Sequence, residues 1–303
     1  MNPRFSVIIP TYNQAQFLQK AIQSVIDQTY KDWEMIIVDN YSTDNTHEIV
    51  SSFNNSNIQY LKINNMGIIA KSRNRGIVES KGRYIAFLDS DDYWYPNKLE
   101  VINNYLNTEN SFICHSEKWI YLNDDSKSKI VHYGPKRMAN YFSLLFNGNC
   151  ISTSAVVVLR SSLFEVGLFN ESKNLITSED YDLWLKLSNA GIKMSFLKDV
   201  LGEYLLHMQS NSNSSEKNMN AILCCFESHF ENKKYKGLFY KLLRCRRISS
   251  IHYIGARGLY KNNILPKSFK LHLKSIFIWP FHLKTYISLF QLIIKLLSPT
   301  FVF

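Results

Sequence analysis

Two short acidic clusters hold the side chains in this sequence that could do chemistry. The first, "DSDD", places Asp89, Asp91 and Asp92 within four residues, directly after an apolar run of strand length. Carboxylates this close repel one another unless a cation joins them. A solvated turn after a strand is one interpretation, and a divalent metal that holds a phosphate-rich ligand is the other. Asp92 could also cap a helix that starts near Pro96.

The second cluster, "SEDYD", opens an amphipathic segment at residues 178–191. A carboxylate such as Asp180 or its neighbour Glu179 could act as a general base that takes a proton from a hydroxyl group. Acidic residues in the first turn of a helix are also favoured by the helix dipole without any catalytic role. Ser178 as the N-cap and Gly191 as the stop signal predict a helix over this segment.

The first 120 residues would position the DSDD cluster on an α/β scaffold, because apolar runs of strand length alternate with amphipathic segments. Apolar strands separated by helices predict a mostly parallel central sheet, flanked by helices and buried on both faces. In such folds, ligands bind at the carboxyl ends of the strands. The predicted strands are 5–10, 34–40, 58–63 and 84–89, and the predicted helices are 15–28, 42–53 and 68–80.

Polar residues follow each of these four predicted strands. They are "PTYN" at 10–13, Asp39 with Asn40, "NNMG" at 64–67 and "DSDD" at 89–92. Because the carboxyl ends of parallel strands share one edge of the sheet, we expect the clusters to converge there. The sequence has neither the G-x-G-x-x-G motif nor the P-loop motif. Phosphates would therefore need another partner, such as a metal on the DSDD carboxylates.

The remainder of the first 220 residues shows weaker signals. Two strands are expected at 111–122 and 151–160, with a polar loop at 123–130 between them. Residues 207–220 are polar and predict a mobile linker. His207 at the start of this stretch, considered alone, is more often an exposed residue than a ligand.

Five motifs resemble those of family 2 glycosyltransferases with the GT-A fold. In chain order they are "SVIIPTYN", "SVIDQTYKDWEMIIVDNYSTDNT", "NNMGIIAKSRNRGI", "KGRYIAFLDSDDYWYPNKLE" and "VGLFNESKNLITSEDYDLWLKL". They follow the family's order over residues 4–210, about two thirds of the chain. The resemblance implies a GT-A domain at 1–215, with a nucleotide-sugar-binding half at 1–110 and an acceptor half at 111–215.

The resemblance also implies which residues bind the donor. Thr11, Tyr12 and Asn13 would lie at the nucleotide, the acid at Asp39 would contact the base, and Arg73 within "KSRNRG" would lie near the nucleotide as well. These residues follow the first two predicted strands or lie on the helix after the third.

The DSDD stretch matches the family's D-x-D motif. By the resemblance, Asp89 lies toward the ribose with Ser90 beside it, and Asp91 binds a Mg²⁺ or Mn²⁺ ion that grips the diphosphate. Asp89 is also expected near the metal, and His207 falls where many relatives carry a histidine near the metal and the diphosphate.

Asp180 matches the family's general base, with Glu179 as its neighbour. One base opposite the leaving group means a single displacement with inversion, which is also the family's stereochemistry. The chain departs from the family's pattern at Tyr41, where relatives usually have glycine. Glycine permits a positive φ or a close backbone approach, so we expect the loop after the second strand to be reshaped.

The expected function is therefore that of an inverting, metal-dependent glycosyltransferase. It would move a sugar from a nucleotide-diphosphate donor, a UDP-sugar by the resemblance, to a hydroxyl group of a saccharide acceptor. A lipid-linked glycan in surface polysaccharide biosynthesis is the expected acceptor. The rival interpretation is a non-catalytic sugar-nucleotide-binding or scaffold protein. A processive polysaccharide synthase would carry several spanning helices and a Q-x-x-R-W motif, and neither is visible in the sequence.

The positive charge of the chain is concentrated near its C-terminal end. Residues 231–303 carry 14 Lys and Arg against the single acid Glu231, whereas residues 1–230 carry 21 against 24 acids. Such a block predicts an anionic partner, either lipid headgroups or nucleic acid, and no recognisable nucleic-acid module accompanies it. Five cysteines without C-x-x-C spacing and an N-terminus without a signal-peptide pattern favour a reducing cytosol.

Residues 216–303 are expected to form a basic α-helical tail that associates with an anionic membrane surface. No apolar run in it reaches the roughly 18–20 residues of a spanning helix. Within 286–297, Ile287 and Phe290 begin an apolar pattern at helical spacing with Lys295 to one side, which is typical of a helix lying in the membrane interface. This predicts a cytoplasmic protein, peripheral on the inner face of the cell membrane. The alternative is that these helices pack on the catalytic domain or on a second copy in a homodimer.

Overall fold

The chain divides into two compact units. The computed structural model describes residues 2–106, 111–122, 124–207, 215–233 and 235–297. The first unit comprises Met1–Leu144, Asn149–Lys173 and Glu179–His207, and the second comprises Leu145–Gly148, Asn174–Ser178 and Met208–Phe303. The expected domain boundary at residue 215 adjoins residues 208–214, which lie outside the described residues, and it stays a prediction.

Nine described strands form one sheet in the first unit. The order is β3-β2-β1-β4-β8-β6-β9-β5, with β7 paired to β6. Strands β1 to β4 are parallel, as is the β6–β9 pair, and the other pairs are antiparallel. The predicted α/β fold class is confirmed. The strands are β1 (Phe5–Thr11), β2 (Trp33–Asp39), β3 (Ile58–Lys62), β4 (Tyr84–Phe87), β5 (Tyr93–Trp94), β6 (Phe112–Tyr121), β7 (Asp124–Val131), β8 (Val156–Leu159) and β9 (Met194–Leu206).

The core of this unit lies between the sheet and the helices beside it. Every residue of β1 is buried, as expected for a central strand covered on both faces. Helix α1 turns Leu18, Ile22 and Val25 into the core, at the spacing of one helical face. The helices up to residue 189 are α1 (Ala15–Ile26), α2 (Thr46–Ser52), α3 (Ile69–Glu79), α4 (Lys98–Tyr105), α5 (Tyr141–Asn147), α6 (Arg160–Glu165) and α7 (Glu179–Asn189).

Three expectations about local structure differ from the observed elements. The predicted polar loop at 123–130 is wrong, because β7 pairs there with β6 as the outer strand of a hairpin. Polar residues suit an edge strand with one side toward solvent. The predicted strand at 151–160 is shortened to β8, since a 3₁₀ turn at Thr153–Ala155 precedes it. In the predicted linker 207–220, residues 208–214 lie outside the described part, and a helix begins at Ser215.

The second unit is helical, as predicted for the C-terminal region. Its long helices are α8 (Ser215–Asn232), α9 (Leu238–Lys261), α10 (Leu265–Ile278) and α11 (Leu283–Leu297). Helices α8 and α9 approach closely at Gly255, where a Cβ atom would lie 2.6 Å from the Met219 sulfur. Among the described helices, none has a stretch that is both long and apolar enough to cross a bilayer.

Candidate active site

The structure brings the predicted polar clusters to one edge of the sheet. Thr11 and Asp39 are register partners at the ends of β1 and β2. Strand β4 pairs with the other side of β1, and the DSDD cluster follows its end. The loop after β3 joins the same edge, because the Asn65 backbone amide donates to the Asn40 side-chain oxygen at 2.8 Å. The convergence expected from the strand pattern is therefore observed.

Asp39 is fully buried and organises the loop that follows β2. Its carboxylate accepts hydrogen bonds from the Ser42 backbone amide at 3.0 Å and from the Ser42 hydroxyl at 2.5 Å. The Tyr60 hydroxyl donates to its other oxygen at 2.7 Å. Burial, together with this bond to Asp39, raises the pKa of Tyr60 above its ordinary value. Asp39 thus fixes the shape of the loop at which the resemblance places the base.

Tyr41 adopts a backbone conformation that favours glycine, the residue that the resemblance implies at this position. Its φ is +54°, in the left-handed region, and its side chain is 58% exposed. A residue with a Cβ atom pays about 1–2 kcal/mol there. The neighbouring loop is held by Asn13, whose backbone amide donates to the Ser42 hydroxyl and whose side-chain oxygen accepts from the Thr43 amide, both at 2.8 Å. The expected change at Tyr41 is therefore a strained residue in an otherwise well-bonded loop.

Thr11 and Tyr12 differ in how they present their polar groups. The Thr11 hydroxyl is buried and has no hydrogen-bond partner among the described residues. Tyr12 is exposed. A buried, unpaired hydroxyl at a strand end is costly unless a ligand completes it, so Thr11 is suited to a polar ligand atom.

Arg73 joins three elements at the centre of the site. Its guanidinium group lies 2.7 Å from Asp89 Oδ1 and 2.7 Å from Glu179 Oε1, and its side chain is almost fully buried. Burial acts against the charge, but Asp89 and Glu179 outweigh it and keep the pKa of Arg73 above its usual value. This bridge ties α3 to the loop after β4 and to the first turn of α7. The sequence predicted Arg73 as a nucleotide neighbour but gave no sign of its partners.

Asp91 and His207 form a pair that is suited to hold a metal ion. The His207 Nε2 atom lies 2.8 Å from Asp91 Oδ2, and the imidazole is buried against the Phe17 ring. The two donor atoms are close enough for one divalent ion to be held by both in place of their mutual hydrogen bond. Asp89 and Ser90 lie in the same short loop, with Ser90 buried. A carboxylate oxygen and an imidazole nitrogen are a chemically suitable donor set for such an ion.

Asp92 has a role that the sequence did not indicate. It is buried, and its carboxylate accepts from the Ser154 hydroxyl at 2.6 Å and from the Leu205 backbone amide at 3.0 Å. The suggestion that it caps the following helix is wrong, because α4 begins after Asn97 without a side-chain cap. Burial and the nearby Asp91 raise the pKa of Asp92 well above its ordinary value.

Ser154 connects the Asp92 carboxylate to the backbone of the DSDD loop. The Ser154 hydroxyl oxygen accepts from the Asp89 backbone amide at 3.1 Å. Its carbonyl oxygen accepts from the buried Lys98 ammonium at 2.9 Å and from the Trp94 indole at 3.1 Å. The polar triplet "STS" at 152–154, within an otherwise apolar run, was the one signal in the sequence that could have indicated this connection.

Asp180 lies in the first turn of α7, beside Glu179. Its Oδ1 accepts from the Tyr181 backbone amide at 2.7 Å, and its Oδ2 lies 3.3 Å from the Thr153 hydroxyl and 3.4 Å from the Asn149 amide nitrogen. Burial, reinforced by the charge of Glu179, raises the pKa of Asp180 to about 7. Such a carboxylate can accept a proton near neutral pH.

The chain is similar to known glycosyltransferases. The family model described as "Glycosyl transferase family 2" matches residues 6–167. The UDP-Glc:alpha-D-GlcNAc-diphosphoundecaprenol beta-1,3-glucosyltransferase WfaP of Escherichia coli is 36% identical over 214 residues, which are 71% of this chain and 82% of that protein. The putative teichuronic acid biosynthesis glycosyltransferase TuaG of Bacillus subtilis (strain 168) is 31% identical over 220 residues, which are 71% of this chain and 83% of that protein.

Solved structures share the fold at low sequence identity. TarS 1-349 of S. aureus, in complex with UDP-GlcNAc, matches with a TM-score of 0.64 at 18% identity, over 92% of this chain and 81% of that one. The mannosyltransferase PcManGT from Pyrobaculum calidifontis, in complex with GDP-Man and Mn²⁺, gives a TM-score of 0.59 at 15% identity, over 99% and 89% of the two chains. With the family model and curated relatives above 30% identity, the chain belongs to glycosyl transferase family 2.

Proposed function

We propose that this glycosyltransferase moves a sugar from a UDP-sugar to a saccharide hydroxyl with inversion, assisted by a Mg²⁺ or Mn²⁺ ion. The observation that carries this proposal is the pairing of two different carboxylate sites around Arg73. On one side lie Asp89 and Asp91, with His207 at 2.8 Å from Asp91. On the other lies Asp180, whose pKa of about 7 suits a base. One site is built for a leaving diphosphate and the other for an acceptor hydroxyl.

Asp91 and His207 would hold the metal ion, with Asp89 beside them. When bound, the ion would neutralise negative charge that develops on the departing diphosphate. The loop that carries Asp91 is fixed by the Asp92 and Ser154 bonds, so the carboxylate is oriented before any ligand arrives. The buried Thr11 hydroxyl, and Tyr12 and Asn13 beside it, would line the nucleotide part of the same edge.

Asp180 is preferred over Glu179 as the base because the two carboxylates are engaged differently. Glu179 is tied to Arg73 by an ion pair of 2.7 Å, so its Oε1 atom is already occupied by the guanidinium group. Asp180 accepts from the Tyr181 amide through Oδ1, while its Oδ2 has only the longer contacts to Thr153 and Asn149 among the described residues, and its raised pKa lets it take a proton near pH 7. A single base, without a second carboxylate acting as nucleophile, supports a single displacement with inversion.

The relatives favour a lipid-linked acceptor. The name of WfaP specifies UDP-Glc as donor and a diphosphoundecaprenol-linked GlcNAc as acceptor, with a beta-1,3 linkage formed. TuaG is named for teichuronic acid biosynthesis. We propose the same classes here: a UDP-sugar as donor, and a lipid-diphosphate saccharide in the synthesis of a surface glycan as acceptor.

A ligand screen followed by product analysis tests this function. UDP-sugars and GDP-sugars would be compared for protection against thermal unfolding, with and without Mn²⁺. A true donor at a hundred times its Kd stabilises by about 2.7 kcal/mol, so a clear rise in Tm is expected for a UDP-sugar with the metal. NMR of the product formed on a soluble saccharide-diphosphate analogue should then show inverted anomeric configuration. Retained configuration, or protection without any turnover, would contradict the proposal, and the latter would indicate a non-catalytic binding protein.

A further inference from the structure

Helices α10 and α11 present large apolar side chains to the outside. Phe277 is 90% exposed, Phe281 and Leu283 are each 75% exposed, and Leu297 is 78% exposed. Five of the eight exposed large apolar side chains of α11 recur every three or four positions, which places these five on one helical face. They are Leu283, Ile287, Phe290, Ile294 and Leu297.

The inner side of the same two helices is polar. The buried residues of α10 are Ser268, His272 and Ser275, and those of α11 are Thr285, Ser288 and Leu292. Five of these six side chains are polar, whereas a helix packed in a water-soluble bundle normally turns its apolar stripe inward. The polarity of this helix pair is therefore inverted.

A hydrogen-bond seam joins these buried side chains. The Ser275 hydroxyl bonds to the Ser249 carbonyl oxygen of α9 at 2.9 Å and lies 3.1 Å from the Thr285 hydroxyl of α11. His272 Nδ1 donates to the Ser268 carbonyl oxygen at 2.8 Å, so its Nε2 is left to accept from the Ser288 hydroxyl at 2.7 Å. Small residues and hydroxyl bonds between helices are the means by which helices associate in lipid, where apolar contacts between them give no advantage over lipid.

Basic side chains accompany the apolar face. Lys270, Lys274 and Lys284 are exposed on the same two helices. No Asp or Glu occurs in the chain after Glu231. Lysines beside an apolar face can reach lipid phosphates while the apolar side chains enter the acyl boundary.

We propose that α10 and α11 form a hairpin that inserts into the interface of an anionic lipid bilayer. The outward apolar face, defined by Phe277, Phe281, Ile287 and Phe290, enters the acyl boundary, and the polar seam stays between the helices. The hairpin lies in the interface without crossing the bilayer. Insertion removes from water an apolar surface that would otherwise be costly to expose.

Charge favours lipid over a second copy of the chain as the occupant of this face. Two identical faces brought together would place Lys270, Lys274 and Lys284 near the same lysines of the partner, with no acid on either helix to balance them. Anionic headgroups supply the missing negative charge near the surface.

Sedimentation of the full chain with vesicles tests the proposal. The triple variant Phe277→Ser, Ile287→Ser and Phe290→Ser should bind phosphatidylglycerol-containing vesicles at least about a hundredfold more weakly than the natural chain. A matched triple variant, Val78→Ser, Tyr105→Ser and Phe164→Ser, removes three exposed apolar side chains from the first unit and should bind as the natural chain does. Lys270→Gln with Lys274→Gln and Lys284→Gln should weaken binding at least about tenfold at low salt.

Tryptophan fluorescence provides a second readout that does not depend on sedimentation. Trp279 lies in the turn between α10 and α11. Phospholipids with brominated acyl chains should quench it, and Trp279→Phe should lose this quenching. The far-UV circular dichroism and Tm of each variant confirm that it is folded.

Three outcomes would overturn the proposal. The natural chain could remain in the supernatant with anionic vesicles at low salt, or the apolar triple variant could bind as tightly as the natural chain. The third is a stable dimer, measured by light scattering, that the apolar triple variant dissociates while neither protein binds vesicles. That result would assign the face to a second copy.

Discussion

At the scale of single residues, the three neighbouring carboxylates of the DSDD cluster have different partners and therefore different roles. Asp89 pairs with Arg73, and Asp91 pairs with His207. Asp92 is buried and accepts hydrogen bonds from the Ser154 hydroxyl and the Leu205 backbone amide. Three acids within four residues are tolerated because each has a different partner. A metal ion at Asp91 would relieve the remaining repulsion further.

Replacing Asp91 tests the metal site. Asp91→Ala should lower the affinity for UDP in the presence of Mn²⁺ by more than about tenfold, since even outer-shell partners of a metal are worth 10–100-fold. Isothermal titration calorimetry with and without Mn²⁺ measures this change. Asp199→Ala, at an exposed position on β9, is the matched control and should bind as the natural protein does. Unchanged UDP affinity in Mn²⁺ for Asp91→Ala would place the metal elsewhere.

Replacing Asp92 tests whether this residue holds the DSDD loop in place, as distinct from the metal binding proposed for Asp91. Asp92→Ala leaves the Ser154 hydroxyl and the Leu205 amide without their acceptor, which should lower the free energy of unfolding by about 1–3 kcal/mol. Asp92→Asn keeps one acceptor oxygen, so its free energy of unfolding should fall by less than that of Asp92→Ala. Urea denaturation gives both values. An alanine variant as stable as the natural protein would mean that these two bonds contribute nothing to the loop.

The raised pKa of Asp180 predicts a pH dependence of activity. A base works only when it is deprotonated, so kcat/KM should rise with pH and level off above a pKa near 7. A pH–rate profile from pH 5.5 to 8.5, with the donor well below its KM, measures this limb. A profile that stays flat down to pH 5.5 would show that the pKa of the base lies well below 7, which would contradict the assignment of Asp180.

At the scale of elements, the parallel strands explain why the edge of the sheet could be predicted. Strand length, apolar runs and cap residues are local, and three consecutive strand–helix alternations followed by a fourth strand leave little choice of fold. The partners of Asp92 could not be predicted in this way, because Ser154 and Leu205 lie far away in sequence and the bonds depend on how β8 and β9 join the sheet. Helical spacing on α11 likewise predicted an apolar face, but spacing alone does not say whether a face turns toward a neighbouring helix or away from it.

Helix α3 carries Arg73 and depends on a close approach to β1. A Cβ atom on Gly76 would lie 2.6 Å from the Ile8 Cγ2 atom. Gly76→Ala should therefore destabilise the protein by about 1–3 kcal/mol through overpacking, although alanine is the better helix former. Val78→Ala, at an exposed position of the same helix, is the control and should be nearly neutral. Urea denaturation that shows Gly76→Ala to be as stable as the control would mean that α3 can shift freely.

At the scale of the whole molecule, the two units differ in charge and in surface character. The first unit holds the candidate site and most of the acids, and the segment after residue 230 holds one acid against 14 basic residues. That division could be predicted from the sequence, because charge is simply counted. The short segments Leu145–Gly148 and Asn174–Ser178 belong to the second unit although they lie within the sequence of the first, and no local pattern indicated this.

The central claim is that Asp180 takes the proton of the acceptor hydroxyl in a glycosyl transfer, and Asp180→Asn tests it most directly. The folded pKa of about 7 exceeds the ordinary 3.8, so the charged form destabilises the folded state as pH rises between these values, and the variant should be at least as stable at pH 8. Its turnover should fall at least about a hundredfold while donor affinity in Mn²⁺ stays nearly constant. Turnover reduced less than about tenfold in the folded variant would contradict the account and direct the search for the base to Glu179.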